Sequence, residues 1–581
     1  MKDIEGIINE TSKERMRETI EWLTSNTPYR LAGSDDEKRA AEYISGKMRQ
    51  YGLEVINQEL YTYNSDPVSS EIEVISPVKL KPDSLPCAHI RSTSEDGDVF
   101  DVVYVGTGSY EAYEGLNVSG KMVLVEVSYA PPVPEKARIA SSMGAAGIIC
   151  MNWGNDEEVI CNRGLKAVWG NPTVDTFRDI PDITGVSISR TAGLKLKELC
   201  TSGQRVQVKV SAIADRKWSK VHQPVGIIHG NGKSDQFILV SSHIDAWKPG
   251  VTCNATGNAT TLELCRILAK HKDELDRNIY FVFWNGHEIA EAAGSTWFVD
   301  NNWKLLGDKC VGYINIDSTG VRETEIFEIK ASDELLDFAE KNAQDVLRSD
   351  VMRVMPLKKI GDQSLMGIGV PAIAQRMSFT QEVMDRNHGA TLGWWNHTCE
   401  DGLDKCDMKI LYEDTRVTLS LIYRLAQCRL LPYNFRRKFE DMADKVLALA
   451  QKHGSELELT PLYNGLVGAG EAVAMLQKRG PQLTEAKQID DYNRFMLTVS
   501  RLTTNVFQTY ADKFQQDSYG YTKLSAPVPL LADLAVLDKL EKDSLEYGML
   551  TTQLVKNRNR ILEALDQVKH YAGLYERLLV F

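Results

Sequence analysis

Five residues have side chains that bind transition metals, and they recur at intervals through the middle of the chain: His243, Cys253, Glu288, Asp317 and His397. The stretch "SSHIDAWKPGVTCNATGNATTLE" opens the series, with a His, an Asp two residues later, and a Gly-containing loop that leads into an apolar-periodic segment. Asp245 stands at His+2, where a carboxylate accepts the imidazole N–H of a metal ligand and fixes its orientation. Imidazole, carboxylate and thiolate are all ligands for zinc and its neighbours in the first transition row. Any one of these residues alone is ordinary core or surface material. Five of them, four at expected strand ends, point to metal-assisted chemistry.

The elements that must position them alternate between strand and helix from about residue 215 to 430. "FILVSSHIDAW", "NIYFVFWNGHE" and "CVGYINIDSTG" read as strands, while "NATTLELCRILAKH" and "GSTWFVDNNW" read as helices. This alternation predicts an α/β fold, a mostly parallel sheet sandwiched by helices. Ligands in such sheets bind beyond the carboxyl ends of the strands. There the sequence puts His243 and Asp245 after the first strand, His287 and Glu288 after the second, and Asp317 at the third.

Around this core the texture changes twice. Residues 1–64 read as helices followed by a strand, with Ser34 as an N-cap and Gly52 as a helix stop. Residues 65–214 carry short apolar runs between Gly/Pro turns, and residues 431–581 carry helical periodicity only, for four or five helices. At 581 residues the chain is too long for one core. A formal charge of −13 argues against a nucleic-acid partner, which needs clustered Lys and Arg. No apolar run is long enough for a membrane span. The first residues read as an amphipathic helix without a signal-peptide core, and the ten Cys lack paired spacing. Together these predict a cytoplasmic protein.

"GKMVLV", "GAAGIICMN" and "IPDITGVSISRTAG" resemble the protease-associated domain, a small α/β module inserted in several peptidase families. "HIDAW", "CNATG", "FWNGHE…GS", "INIDSTG" and "HTCEDGLDK" resemble, in order, the motifs of the zinc aminopeptidase and glutamate carboxypeptidase family, which also contains the transferrin receptor. "GDQSLMGIGVPAIA" resembles that family's stretch before the last ligand. The resemblance implies a peptidase domain split over residues 1–64 and 215–430, the insert between them, and a C-terminal helical domain that helps form a homodimer. It implies two zinc ions, one on His243 and Asp317 and the other on Glu288 and His397, with position 253 as bridge. It gives the residue before the Glu ligand, His287, the role of general base for the attacking water, and Asp245 that of orienting His243.

Two positions depart from the family's pattern. The bridging carboxylate is Cys253 and the base is His287. A thiolate offers one soft sulfur at about 2.3 Å from zinc, against about 2.0–2.2 Å for oxygen, and it favours softer metals. The centre then holds a single ion with Cys253 as terminal ligand, or two ions bridged by sulfur, with iron or another transition metal as options beside zinc. A His with an ordinary pKa of about 6.5 serves as a base near neutral pH, or becomes a ligand itself. A Cys253–His287 pair with a nucleophilic thiolate is a third option. Both replacements can bind metal or carry a proton, which favours a retuned site over a decayed one. The expected function is metal-dependent hydrolysis of an amide in a small molecule or short peptide. The alternatives are a lyase or hydrolase repurposed for a non-peptide substrate, and a non-catalytic binding protein.

Overall fold

The computed structural model describes residues 4–154 and 159–578. Its longest feature is an antiparallel ribbon of two strands, β1 (Glu54–Ser76) and the seventh strand in chain order, Gln207–Ile228, paired from Glu54 opposite Ile227 to Ser76 opposite Gln207 with register shifts between Pro67 and Ser69 and between Val74 and Ser76. Both strands run straight through the places where the sequence texture changes, near residues 64 and 214. No flexible linker joins the insert to the rest. The middle of the ribbon carries polar residues (Ser65, Asp66, Asp215) beside the small clusters of Leu60, Val221 and Tyr63, and that polarity reads as a loop in the sequence. Its two ends are apolar, with Ile72, Val208 and Val210 in the insert's core and Val225 and Ile227 in the peptidase-like core.

Within the insert, β2 (Ser84–Pro86), β3 (Asp98–Gly106), β4 (Met122–Glu126), β5 (Gly147–Met151) and β6 (Thr184–Ile188) form a small sheet. Strands β3 to β6 are parallel, and β2 closes the edge antiparallel to β6. β3 also pairs with β7 (Gln207–Ile228), which makes the whole a continuous 13-stranded sheet.

The remaining strands are β8 (Phe237–His243), β9 (Asn278–Trp284), β10 (Cys310–Asn315), β11 (Ile326–Ala331), β12 (Met352–Pro356) and β13 (Ala372–Ser378). Their spatial order is β12-β11-β13-β10-β8-β9-β7, with β13, β10, β8 and β9 mutually parallel. Every residue of β8 and β10 is buried, as expected for parallel strands covered on both faces. Alternate residues serve opposite layers. Ile238, Val240, Phe281 and Phe283 pack beneath helices Lys13–Asn26, Asp35–Gln50, Thr256–Lys270 and Met408–Gln427. Leu239, Val282, Trp284 and Tyr313 face Phe298, Val299 and Leu306 on the other side.

The helical domain comprises Arg436–His453, Thr460–Arg479, Ala486–Phe507, the short Leu534–Leu537 and the long Leu545–Leu578. It shares one hydrophobic core with the lower helix layer. A buried ion pair ties it down: Lys438 Nζ lies 3.1 Å from Glu334 Oε2 and donates to Thr504 Oγ1 at 2.7 Å. Its loop "QDSYGYTK" returns over the sheet, where Thr522 N donates to Glu135 Oε1 of the insert at 2.9 Å. The sequence marks that stretch as a loop without a binding role. It is a loop, yet Tyr519 within it lines the central cleft. All ten Cys are free thiols and only Cys399 is exposed. Among the described residues no helix is long and apolar enough to cross a membrane.

Candidate metal centre

His243, Glu288 and Asp317 are delivered by strand ends and Cys253 and His397 by irregular loops, and local hydrogen bonds fix them. His243 is the last residue of β8, fully covered by both helix layers. The loop after it is pinned by Arg30, a completely buried guanidinium that donates to Ile244 O (3.1 Å), Pro249 O (3.0 Å) and Gly250 O (2.6 Å). Gly250 holds φ +62°, and a Cβ there would lie 2.6 Å from Ala246 Cβ. The chain then enters helix Thr256–Lys270 through a turn in which Cys253 and Asn254 keep non-helical φ of −129° and −142°. Asp401 holds this turn, accepting from Thr252 N at 2.9 Å, Thr252 Oγ1 at 2.7 Å and Cys253 N at 3.1 Å. Asp245 does the same for the turn after β9, accepting from His287 N at 3.1 Å and Glu288 N at 2.9 Å. Asp317 follows β10, and His397 sits in a loop at φ +62°.

These elements bring all five predicted ligands together as two donor triads that share one sulfur: His243–Cys253–Asp317 and Cys253–Glu288–His397. Cys253 Sγ lies 3.8 Å from His243 Nε2, 3.5 Å from Glu288 Oε1 and 3.6 Å from His397 Nε2. His397 Nε2 is 3.3 Å from Glu288 Oε2, and His243 Nε2 is 3.6 Å from Asp317 Oδ1. An ion about 2.3 Å from sulfur and about 2.0–2.1 Å from nitrogen and oxygen sets tetrahedral neighbours about 3.4–3.6 Å apart. The observed spacings match, and the donor set of two imidazoles, two carboxylates and a thiol suits zinc.

His287 stands outside both triads. Its ring stacks on His243, with centroids 3.9 Å apart and planes 10° from parallel, and its Nδ1 donates to Asp362 Oδ2 at 3.0 Å. That bond assigns the proton to Nδ1 and turns Nε2 into the lone-pair nitrogen of the neutral ring. Burial disfavours the His287 imidazolium, but Asp362, Glu288 and Asp317 outweigh it and push its pKa well above the ordinary value. Burial works against ionisation of Glu288 as well, and His397 overcomes this, holding its carboxyl down at about 2. Asp317 is likewise pulled well below the carboxylate range by His243, against its burial. Burial pushes the Cys253 thiol far up, reinforced by the charges of Glu288 and Asp317, and raises Asp245 to about 6.

One predicted contact is different in detail. His243 Nδ1 donates to the main-chain carbonyl of Asp245 at 2.8 Å, and the Asp245 carboxylate lies 3.8 Å away. The carboxylate is occupied by the two N–H groups of the His287–Glu288 turn, so Asp245 orients one ligand through its backbone and the other through its side chain. Three positioning residues escape the sequence reading: Arg30, Asp362 and Asp401. The last two lie inside motifs already singled out, "GDQSLMGIG" and "HTCEDGLDK", where an acidic residue beside Gly and His is the signal. Arg30 has no such signal, because nothing local distinguishes it from a surface Arg.

The centre forms the floor of a cleft of about 530 Å³ whose walls come from all three parts of the chain. The insert supplies Trp153, Arg163 and Trp169, the core supplies Trp247, Glu291 and Arg376, and the helical domain supplies Tyr519. Comparison with known proteins agrees with the motifs. Residues 225–420 match the model of peptidase family M28. Residues 83–196 match the PA domain. The chain is 23% identical over 355 residues to transferrin receptor protein 1 of Gallus gallus, covering 53% of this chain and 45% of the receptor. It is 24% identical over 330 residues to an aminopeptidase of Pseudomonas aeruginosa, covering 53% of this chain and 57% of that protein. The chain thus spans only about half the length of these curated relatives. A solved peptidase M28 precursor from Shewanella amazonensis superposes with a TM-score of 0.60 at 16% identity, over 74% of this chain and 97% of that one, which establishes the shared fold.

Proposed function

We propose that the protein is a metal-dependent hydrolase that cleaves an amide in a short peptide or a compact non-peptide substrate. The observation that carries this reading is the pair of donor triads sharing Cys253 at the floor of the cleft, with His287 beside them and outside them. His243 and Asp317 would hold one ion, Glu288 and His397 the other, with Cys253 between; zinc suits this set, and the sulfur also admits iron or another soft transition metal. Bound there, such ions acidify water and stabilise negative charge developing on a carbonyl oxygen. His287 accepts the proton of the attacking water at Nε2, while Asp362 holds the ring through Nδ1 and stabilises the imidazolium that forms. Cations in the centre oppose that imidazolium and bring the His287 pKa back toward the range useful to a base.

The elevated Cys253 pKa disfavours the reading in which its thiolate is the nucleophile, since the free sulfur stays protonated. Size and lining of the cleft favour a small substrate: about 530 Å³ fits a drug-sized molecule, and the tryptophans offer apolar walls. Arg163 stacks on Trp153 and, among the described residues, its Nε and Nη2 atoms are buried without a hydrogen-bond partner, which supports a substrate carrying a negatively charged group near the amide. Exposed Leu545, Met549, Leu574 and Leu578 on the last helix support a homodimer through the helical domain, testable by light scattering.

The test is elemental analysis of protein purified without added metal, beside a Cys253→Ser variant, followed by a screen of dipeptides and N-acyl amino acids. One or two transition-metal ions per chain, reduced by the substitution, and turnover of at least one amide are expected. No metal in either sample after reconstitution with zinc, iron or manganese would overturn the reading and leave a binding protein on a peptidase fold.

A further inference from the structure

The two halves of the centre are held in different ways. The bonds fixing His243 and Asp317 come from the core: His243 ends β8 and donates to Asp245 O, while Asp317 O accepts from Arg376 Nη1 at 2.8 Å. Asp317 Oδ1 also accepts from the neighbouring Ser318 hydroxyl at 3.0 Å. The loops carrying Glu288 and His397 are gripped by the insert. Asn162 donates to the His397 carbonyl twice, from its backbone N at 2.8 Å and its Nδ2 at 3.0 Å, and Cys161 Sγ donates to Asn396 O at 3.3 Å. Only a few residues later, Lys166 Nζ donates to Ala290 O at 2.7 Å and Gly170 N to Glu291 O at 2.7 Å. His89 Nε2 donates to Ile289 O at 2.7 Å.

These grips fall where the backbone needs them. His397, Glu291 and Ala292 have φ of +62°, +49° and +59°, a region that non-glycine residues occupy only when their surroundings over-determine it. His89 and Lys166 are buried polar groups that each donate one hydrogen bond to the 289–291 loop, Lys166 donating a second within the insert to Gly170 O. So core bonds alone fix one donor triad, whereas the other, whose Glu288 is also held by Asp245, depends in addition on the segment 161–170 of the insert.

We propose that the insert governs occupancy of one metal position, Cys253–Glu288–His397, while the core builds His243–Cys253–Asp317 without it. Asn162 is the principal positioning residue, with Lys166 and His89 in support. By reciprocity, an ion in the insert-dependent position tightens the docking of the insert against the cleft. The inference rests on the metal reading above but not on catalysis.

The experiment is titration of the metal-free full chain with zinc alone, in competition with a chelator, for wild type, Asn162→Ala, Lys166→Met, His397→Ala and His243→Ala. Loss of a partner that orients a ligand weakens metal by about 10–100-fold. Asn162→Ala is therefore expected to weaken one of two zinc equivalents by about that factor, the same equivalent removed by His397→Ala, and to leave the other unchanged. A merely structural defect would weaken both together. A readout in the wild type needs no substitution: the amide hydrogens of Asn162 and Gly170 exchange more slowly once the second equivalent is bound.

Equal weakening of both equivalents, weakening of neither, or fewer than two equivalents in the wild type overturns the inference. So does exchange at Asn162 and Gly170 that ignores the second ion. Two equivalents without selective loss would leave the hydrolase reading standing, whereas no zinc binding at all would remove both.

Discussion

Replacing Asp362 by Asn isolates the charge behind the proposed base. Asp362 is fully buried, accepts from His287 Nδ1 at 3.0 Å through Oδ2 and from Ser295 Oγ at 3.2 Å through Oδ1. An Asn in the same place can accept from Nδ1 and donate to the Ser295 hydroxyl, so ring and tautomer are kept while the charge is lost. The main chain is independently held, since Tyr313 Oη donates to Asp362 O at 3.1 Å. A unit charge 3.0 Å away interacts at an effective dielectric of 20 by about 5 kcal/mol before the desolvation of both partners offsets part of it. An opposite charge this close raises an imidazole pKa by about 1–3 units. Two effects follow with opposite sign. The acid limb of kcat/KM against pH moves down by at least about one unit, because the ring deprotonates more easily. The plateau also falls, because the base is weaker and its imidazolium is no longer stabilised. General-base catalysis is worth about 10²–10⁴-fold, so we expect kcat to fall on the order of 10²-fold, or about 2.7 kcal/mol. KM should change little, since Asp362 lies behind His287. The assay is steady-state turnover of the best amide from the screen by zinc-loaded protein, for Asp362→Asn, His287→Gln and the double variant. The double should be no slower than His287→Gln alone, as for groups acting in one unit. Additive losses, or an acid limb that stays in place, would refute the assignment of His287 as base and Asp362 as its partner.

Three further outcomes are expected. Arg30→Met leaves the carbonyls of Ile244 and Pro249 without their Arg30 donor, while Gly250 O keeps the bond from Ala255 N. At about 1–3 kcal/mol for each orphaned group, urea unfolding of the metal-free protein should show a loss of at least about 2 kcal/mol, and a loss below about 1 would show that the loop stands without it. Gly294→Ala would put a Cβ 2.3 Å from Asn285 O and 2.4 Å from Gln223 Oε1 at the start of helix Ala293–Asn301, so we expect insoluble protein or a fall in Tm of several degrees by calorimetry. Burial raises Asp414 to about 7, against the pull of its bonds to Gly320 N and Met377 N. Its folded pKa is above its unfolded value of about 3.9, so the folded state binds the extra proton and stability falls as pH rises between about 4 and 7. Denaturation at a series of pH values should show that slope reduced by about one proton in Asp414→Asn, and an unchanged slope would mean that Asp414 is not the group titrating.

The clustering of the candidate ligands was legible because metal chemistry restricts residue types and strand ends restrict places. His243, Glu288 and Asp317 could be read as a series once β8, β9 and β10 were recognised as apolar runs of the buried kind. Cys253 and His397 lie in irregular backbone, and only the motifs around them drew them in. The insert's boundaries were blurred for a physical reason: the ribbon of β1 and β7 carries two cores at its ends and a polar stretch between, so its composition changes where its structure does not. The grip of Asn162, Lys166 and His89 on the ligand loops was invisible, because it consists of side-chain donors reaching carbonyls more than a hundred residues away. Carbonyls carry no sequence signal. The role of Asp245 was half legible for the same reason, the carboxylate being readable and the backbone acceptor not.

The exchange of a carboxylate for Cys253 also changes what the centre costs when no cation is present. A third carboxylate beside Glu288 and Asp317, both ionised, would add a buried negative charge within a few ångströms of two others, and like charges so close each raise the energy of the ionised state. A thiol avoids this: with its pKa pushed far up by burial and by those two carboxylates, Cys253 stays neutral in the absence of a cation. On the proposed metal reading it would become a thiolate when a cation repays the desolvation, so that metal binding and deprotonation of Cys253 would be a single event. The charge of the filled centre is then the same as with a carboxylate, while the empty centre is less repulsive. A less repulsive empty centre allows the Glu288 and His397 loops to keep their strained backbone with the insert's hydrogen bonds as their support. On the proposed metal reading, the altered ligand and the insert's grip would belong to one arrangement, in which the protein holds the site's shape and an ion completes its charge.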